Sequence, residues 1–179
     1  MDLKVLTVSF VFMAVAYFGA PTSAQAEPSS QTADFARTAA IGNTFEIESS
    51  ELAINKASDK DVKNFARMIV ADHTQIGDHL KQALASSDTG IFLTEKQKLD
   101  EGSQKTLDNL NTASAATFDN LYVQAQSKIH DEAVPLFADY AENGDNASLK
   151  KFAADTLPTL KKHQELVHTL TQSFMTTRE

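Results

Sequence analysis

From about residue 34 to residue 176, apolar side chains recur every three or four positions, and no β-branched alternation competes with that pattern. A period near 3.6 puts such side chains on one face of a helix, whereas a strand needs a period of two. Stripes of this kind are buried by packing helix on helix, so the chain is expected to be all-α. Four segments carry a stripe. The first runs from about Asp34 to Ala57, with Phe35, Ala39, Gly42, Ala53 and Ala57 on one side and Phe45 and Leu52 adjoining. The second ends near Ala85 and aligns Val62, Ala66, Ile69, Ile76, Leu80 and Leu84. The third, about Ala115 to Glu142, aligns Phe118, Tyr122, Ile129, Ala133, Leu136 and Tyr140. The fourth, about Ala147 to Phe174, turns Phe152, Thr156, Leu160, Val167, Leu170 and Phe174 inward.

The junctions set the topology. Ser58-Asp59-Lys60-Asp61 is short, and Ser58 or Asp59 can cap the second helix. Asn143-Gly144-Asp145-Asn146 is equally short; Gly144 suits a left-handed position after the third helix, and Asp145 or Asn146 can cap the fourth. Each short junction makes an antiparallel pair. The segment between the pairs is long. Its residues 94–112 are polar but contain Leu99, Leu107 and Leu110, which predicts a weaker surface helix with Gly102 and Ser103 as a possible interruption. Pro135 and Pro158 fall inside the third and fourth helices, where each removes one backbone hydrogen bond. The expected fold is an antiparallel four-helix bundle of ferritin-like type, with a helix-containing connection between helices two and three. A ferritin-like crossover is one option for that connection.

The first 26 residues read differently. Lys4 precedes an apolar run from Val5 to Ala20, and Ala24-Gln25-Ala26 supplies small residues for cleavage. A cleavable export signal is expected over 1–26, with a membrane anchor as the alternative. The run is short for a span of about 20 residues. Residues 27–33 are then a flexible leader and 34–176 the bundle, exported and most consistent with the periplasm. No later stretch can cross a bilayer. The net charge of −8 disfavours nucleic acid, whose binding rests on Lys and Arg. The absence of Cys excludes disulfides, thiolate ligands and a lipid-anchored N-terminus. There is no Gly-rich phosphate loop and no nucleophile elbow. Nothing names a protein partner.

Polar residues interrupt the stripes at one depth. His73 lies at the centre of the second stripe, and His163 near the centre of the fourth, between Leu160 and Val167. Glu46 lies on the small-residue face of the first helix, His130 nearer the edge of the third stripe, and Asp72 beside its own stripe. Each of Glu46, His73, His130 and His163 is roughly 20–28 Å along its helix from a junction, at 1.5 Å per residue. They are therefore expected in one layer at mid-bundle. Such a layer can hold one divalent metal (Zn, Fe, Mn or Cu) through Glu46, His73, His130 and His163, with Asp72 orienting a ligand. It can equally be a metal-free polar layer that hydrogen-bonds to itself and sets helix register, or the lining of a solvent-filled cleft. As metal ligands the imidazoles must be neutral, so affinity is expected to fall below roughly pH 6.5. His79 and His168 project to the surface, as do Glu48 and Glu51.

The segments AAIGNTFEIESSELAINKASDKDVKNFARMIVADHT and FDNLYVQAQSKIHDEAVPLFADYAENGDNASLKKFAADTLPTLKKH resemble a family of exported bacterial ferritin-like proteins of unknown function, often labelled outer membrane proteins. The most specific pieces are Ala71-Asp72-His73-Thr74, Phe118-Asp119-x-x-Tyr122, the His130 segment, and Thr156-Leu157-Pro158 followed by His163. The resemblance implies a periplasmic or otherwise exported helical bundle and brings no activity. A β-barrel is unsupported, since the sequence has no alternating strands. Ferritin-like dimetal centres use Glu-x-x-His on two helices. Here Val70 and Leu160 stand three residues before His73 and His163, so a single-metal site is the version that survives. Three functions stay open: a metal-binding module in envelope stress or metal handling, a structural or interaction bundle, and a single-metal enzyme. The non-enzymatic readings are favoured, because an enzyme needs an open coordination position and an access path that a sequence does not display.

Overall fold

A computed structural model describes residues 27–94 and 96–176; the expected export signal lies outside the described residues. Five helices form: α1 Ser30–Lys56, α2 Lys60–Ala85, α3 Glu101–Thr112, α4 Ala115–Asn143 and α5 Ala147–Thr176. No strand occurs among the described residues. The second helix of the sequence pattern is α2, and the third and fourth are α4 and α5.

The helix ends depart from expectation in three places. α1 begins four residues before Asp34, because the Ser29 hydroxyl accepts from the Thr32 amide and starts the helix there. Thr32 is buried, donates to Asp145 at 2.6 Å and accepts from the Tyr140 hydroxyl at 2.7 Å. Residues 30–33 are thus the first turn of α1, tied to the end of α4, and not leader. Gly102 and Ser103 do not interrupt the connecting helix; they form its first turn, with Asp100 accepting from the Ser103 amide at 2.8 Å. Gly144 is not left-handed, at φ −58°. Its glycine is needed for closeness instead, since an added Cβ would lie 2.5 Å from the Tyr140 carbonyl and 2.6 Å from its ring.

Other ends follow the sequence. Asp59 caps α2 by accepting from the Asp61 and Val62 amides, and Asn146 caps α5 through the Leu149 amide. The α1–α2 junction is also held from across the bundle. The Asp119 carboxylate of α4 accepts from the backbone of Ser58 at 3.0 Å and Asp59 at 2.9 Å.

Two apolar clusters reveal the helix directions. One joins Phe35 and Ala39 from the start of α1 with Leu80 and Leu84 from the end of α2, Phe137 and Tyr140 from the end of α4, and Leu149 and Phe152 from the start of α5. The other joins Ala53 and Ala57, Val62 and Phe65, Phe118 and Tyr122, and Val167. The α1–α2 and α4–α5 junctions therefore lie at opposite ends. The connection must carry the chain back along the whole bundle, so the ferritin-like crossover is the one adopted. It runs beside α1: the Gln97 amide donates to Thr44, Lys96 pairs with Glu48 at 2.6 Å, and Lys56 donates to the Leu110 carbonyl at 3.2 Å. α1 packs on α2 and α4, and α5 packs on both of these as well.

Leu80 is buried in the first cluster, while Lys81 is exposed beside Asp78. Leu80→Ala should lower unfolding free energy by about 2–5 kcal/mol. Lys81→Ala should change it by no more than about 0.5 kcal/mol. Urea denaturation of both variants checks the assignment, and equal effects would place the α2 stripe wrongly.

Candidate metal centre

Between the two apolar clusters lies a polar waist. α2 brings His73, α4 brings His130 and Gln126, α5 brings His163, and α1 brings Glu46 and Ser49; all are buried. His130, at the edge of its own helix's stripe by projection, is only 1% exposed. A projection considers one helix alone, and α4 is covered from two sides, by α1 and α5.

The three imidazoles face one another. Ring centroids are 5.5 Å apart for His73 and His163, 5.4 Å for His130 and His163, and 6.2 Å for His73 and His130. One ring nitrogen from each lies within 4.8 Å of the other two. Three nitrogens bound to a metal at about 2.0–2.1 Å in tetrahedral geometry stand roughly 3.4 Å apart, so modest ring rotations would close the set.

The remaining ring nitrogens are each held by an oxygen. His73 Nδ1 pairs with Asn43 Oδ1 at 3.1 Å, His130 Nδ1 with the Gln126 carbonyl at 2.9 Å, and His163 Nε2 with Asp72 Oδ2 at 2.8 Å. An oxygen acceptor requires the proton on the nitrogen that meets it. The neutral tautomers are therefore fixed, and the lone pairs fall on His73 Nε2, His130 Nε2 and His163 Nδ1. These three atoms are buried without a hydrogen-bond partner. Three acceptors cannot satisfy one another, and one water has only two protons to offer them. A cation satisfies all three. Anchoring one imidazole nitrogen on an oxygen so that the other can bind metal is the usual arrangement around metal-ligating histidines.

Glu46 sits outside this group. Its Oε1 lies 3.6 Å from His130 Nδ1, the nitrogen that meets the Gln126 carbonyl, and its Oε2 has no partner. Burial pushes its carboxyl up from the ordinary value, against the pull of His130 and a hydrogen bond from Gln126. Asp72, expected from the sequence to orient a ligand, meets His163 Nε2. Asn43 and Gln126 escaped sequence reading. The Gln126 contact uses a backbone carbonyl four residues before His130, which any residue type supplies. Asn43 carried a usable signal: it stands one turn before Glu46 and so shares its face. It also needs Gly77, since a Cβ there would lie 2.8 Å from Asn43 Nδ2. His79 is exposed, and His168 is half-exposed and bonded to Asp131 at 2.9 Å, away from the waist.

A cavity of about 510 Å³ reaches the waist, with Glu46, His73 and His130 among its lining residues. It continues past Ile76, Ala133, Leu136 and Leu160 to exposed Arg37, Asp100 and Glu132 at the surface.

A family model matches residues 19–170. The chain belongs to the family Domain of unknown function (DUF4142). No curated protein matches it in sequence. Among solved structures, CopM in the Cu(II)-bound form is similar in fold, with a TM-score of 0.62 at 17% identity, covering 80% of this chain and 97% of that one. No helix among the described residues is long and apolar enough to cross a membrane.

Burial, with the nearby His163 and His130, holds His73 well below the ordinary 6.5. Burial also lowers His163, although Asp72 pulls the other way. Both therefore stay neutral to a lower pH than the sequence alone suggests, and proton competition for a metal begins below 6.5. In the unfolded chain they take up protons at higher pH than in the fold, so they cost stability as pH falls from about 6.5 toward their folded values. Glu46, being raised, acts in the opposite sense above 4.5. Metal-free protein should accordingly lose stability on acidification through this window, and His73→Gln should flatten that loss. Urea denaturation in chelator across the pH range checks the slope; an unchanged slope in the variant would contradict the buried neutral imidazole.

Proposed function

We propose that this protein is an exported helical bundle that holds one divalent transition-metal ion through His73 Nε2, His130 Nε2 and His163 Nδ1, and serves in metal handling at the cell envelope. One observation carries the reading: three buried imidazoles have a ring nitrogen each within 4.8 Å of the other two, and each ring has one nitrogen on an oxygen and one without a partner. Neutral imidazoles suit Cu(II) and Zn, and Cu(II) stands highest in affinity for nitrogen sites. The fold shared with CopM, a protein solved in a Cu(II)-bound form, supports a metal role for this architecture. Charge balance supports it as well. Asp72 behind His163 and Glu46 near His130 place two carboxylates around a divalent ion. Export rests on the apolar run and Ala24-Gln25-Ala26 of the first 26 residues.

Melting temperature in chelator against melting temperature with added Cu(II) or Zn tests the site. Wild type should shift upward by several degrees. His73→Ala, His130→Ala and His163→Ala should abolish the shift, and exposed His168→Ala should keep it. Asp72→Asn should weaken binding by about 10–100-fold, the usual effect of removing a group that orients a ligand. A wild type that does not respond to either metal would leave the waist as a register-setting polar layer and end the metal reading.

A further inference from the structure

Three histidines leave a four-coordinate metal one ligand short. Among the described residues no Asp or Glu and no further His joins the three-nitrogen group. Glu46 stands on the far side of His130, near Nδ1. Yet Glu46, His73 and His130 all belong to the cavity between α1 and α4. At about 510 Å³ this cavity falls within the size range of small-molecule sites, roughly 300–1,000 Å³. Its apolar lining comes from Ile41, Ile76, Ala133, Leu136, Phe137 and Leu160. Apolar walls with a few convergent polar groups are the usual make-up of a small-molecule site. The polar lining of the cavity includes the buried Glu46, His73 and His130 and the exposed Arg37 and Asp100.

We propose that the α1–α4 cavity is a binding site for a small molecule with an apolar body and a single metal-ligating head, the head taking the metal's remaining position and the body lying along the apolar walls. This rests on the metal site proposed above. Glu46 supplies an acceptor for a proton carried by the head, since its buried Oε2 has no partner. Gly42 supplies the room. A Cβ built there meets no atom within 4 Å, although the residue lies in α1 and lines the cavity. A glycine inside a helix is otherwise a cost relative to alanine.

The test uses protein loaded with Co(II), whose visible bands report a change of the fourth ligand, titrated with imidazole and with 4-phenylimidazole. The two share a head and differ in the apolar body. Wild type should bind 4-phenylimidazole at least about tenfold more tightly, the advantage expected when an apolar body enters a fitting pocket. Gly42→Leu should fill the cavity and bring the two affinities together while Co(II) binding is unchanged. Ala133→Leu, from the opposite wall, should act in the same way and serves if the first variant folds poorly. Equal affinity of the two compounds in wild type would overturn the proposal, as would a preference that survives both variants. Failure of wild type to take up Co(II) would overturn the metal site and this site with it. Uptake of Co(II) without the preference would overturn only the cavity's role.

Discussion

Each histidine of the waist has one ring nitrogen committed to an oxygen, and that commitment leaves the other nitrogen of each ring without a proton or a partner. A buried acceptor left unpaired costs about 1–3 kcal/mol. Three such atoms lie at the waist, between the two apolar clusters. Binding of a cation would relieve all three at once, so occupancy and stability are linked through the same atoms. The orienting groups come from different helices: Asn43 on α1 serves His73 of α2, and Asp72 on α2 serves His163 of α5. Displacing α2 would undo both its own His73 and the Asp72 support of His163.

The crossover shapes access to this layer. Because the two junctions lie at opposite ends, residues 86–114 must run the length of the bundle, and they do so along α1. Thr44, Glu48 and Lys56 receive the connection on the half of α1 that leads to the α1–α2 junction. The seam between α1 and α4 stays open on the other half. Asp100 and Ser103, at the capped start of α3, border its mouth. The segment that closes the topology therefore also frames the opening toward Glu46, His73 and His130.

Much of the architecture was legible because it rests on local periodicity. The stripes of α2, α4 and α5 and the caps at Asp59 and Asn146 are properties of single helices and their ends. What depends on pairs of helices was harder to read. Opposite-end junctions and same-end junctions put mid-helix residues at the same depth, so the histidine layer was predictable while the crossover was left open. Glu46 was placed correctly in depth, but its rotation about α1 relative to His130 is set by packing, and the carboxylate meets the outer nitrogen. Thr32 looked like leader because its burial comes from Tyr140 and Asp145, more than a hundred residues away.

The central claim is that His73, His130 and His163 share one metal ion. X-ray absorption of the protein loaded with a single equivalent of Zn or Cu(II) addresses it directly. Three imidazole nitrogens at about 2.0–2.1 Å are expected around the metal, with the outer-ring scattering that imidazole gives, and that pattern should be lost in His163→Ala. A shell of oxygen donors alone, or an imidazole pattern that survives in His163→Ala, would contradict it.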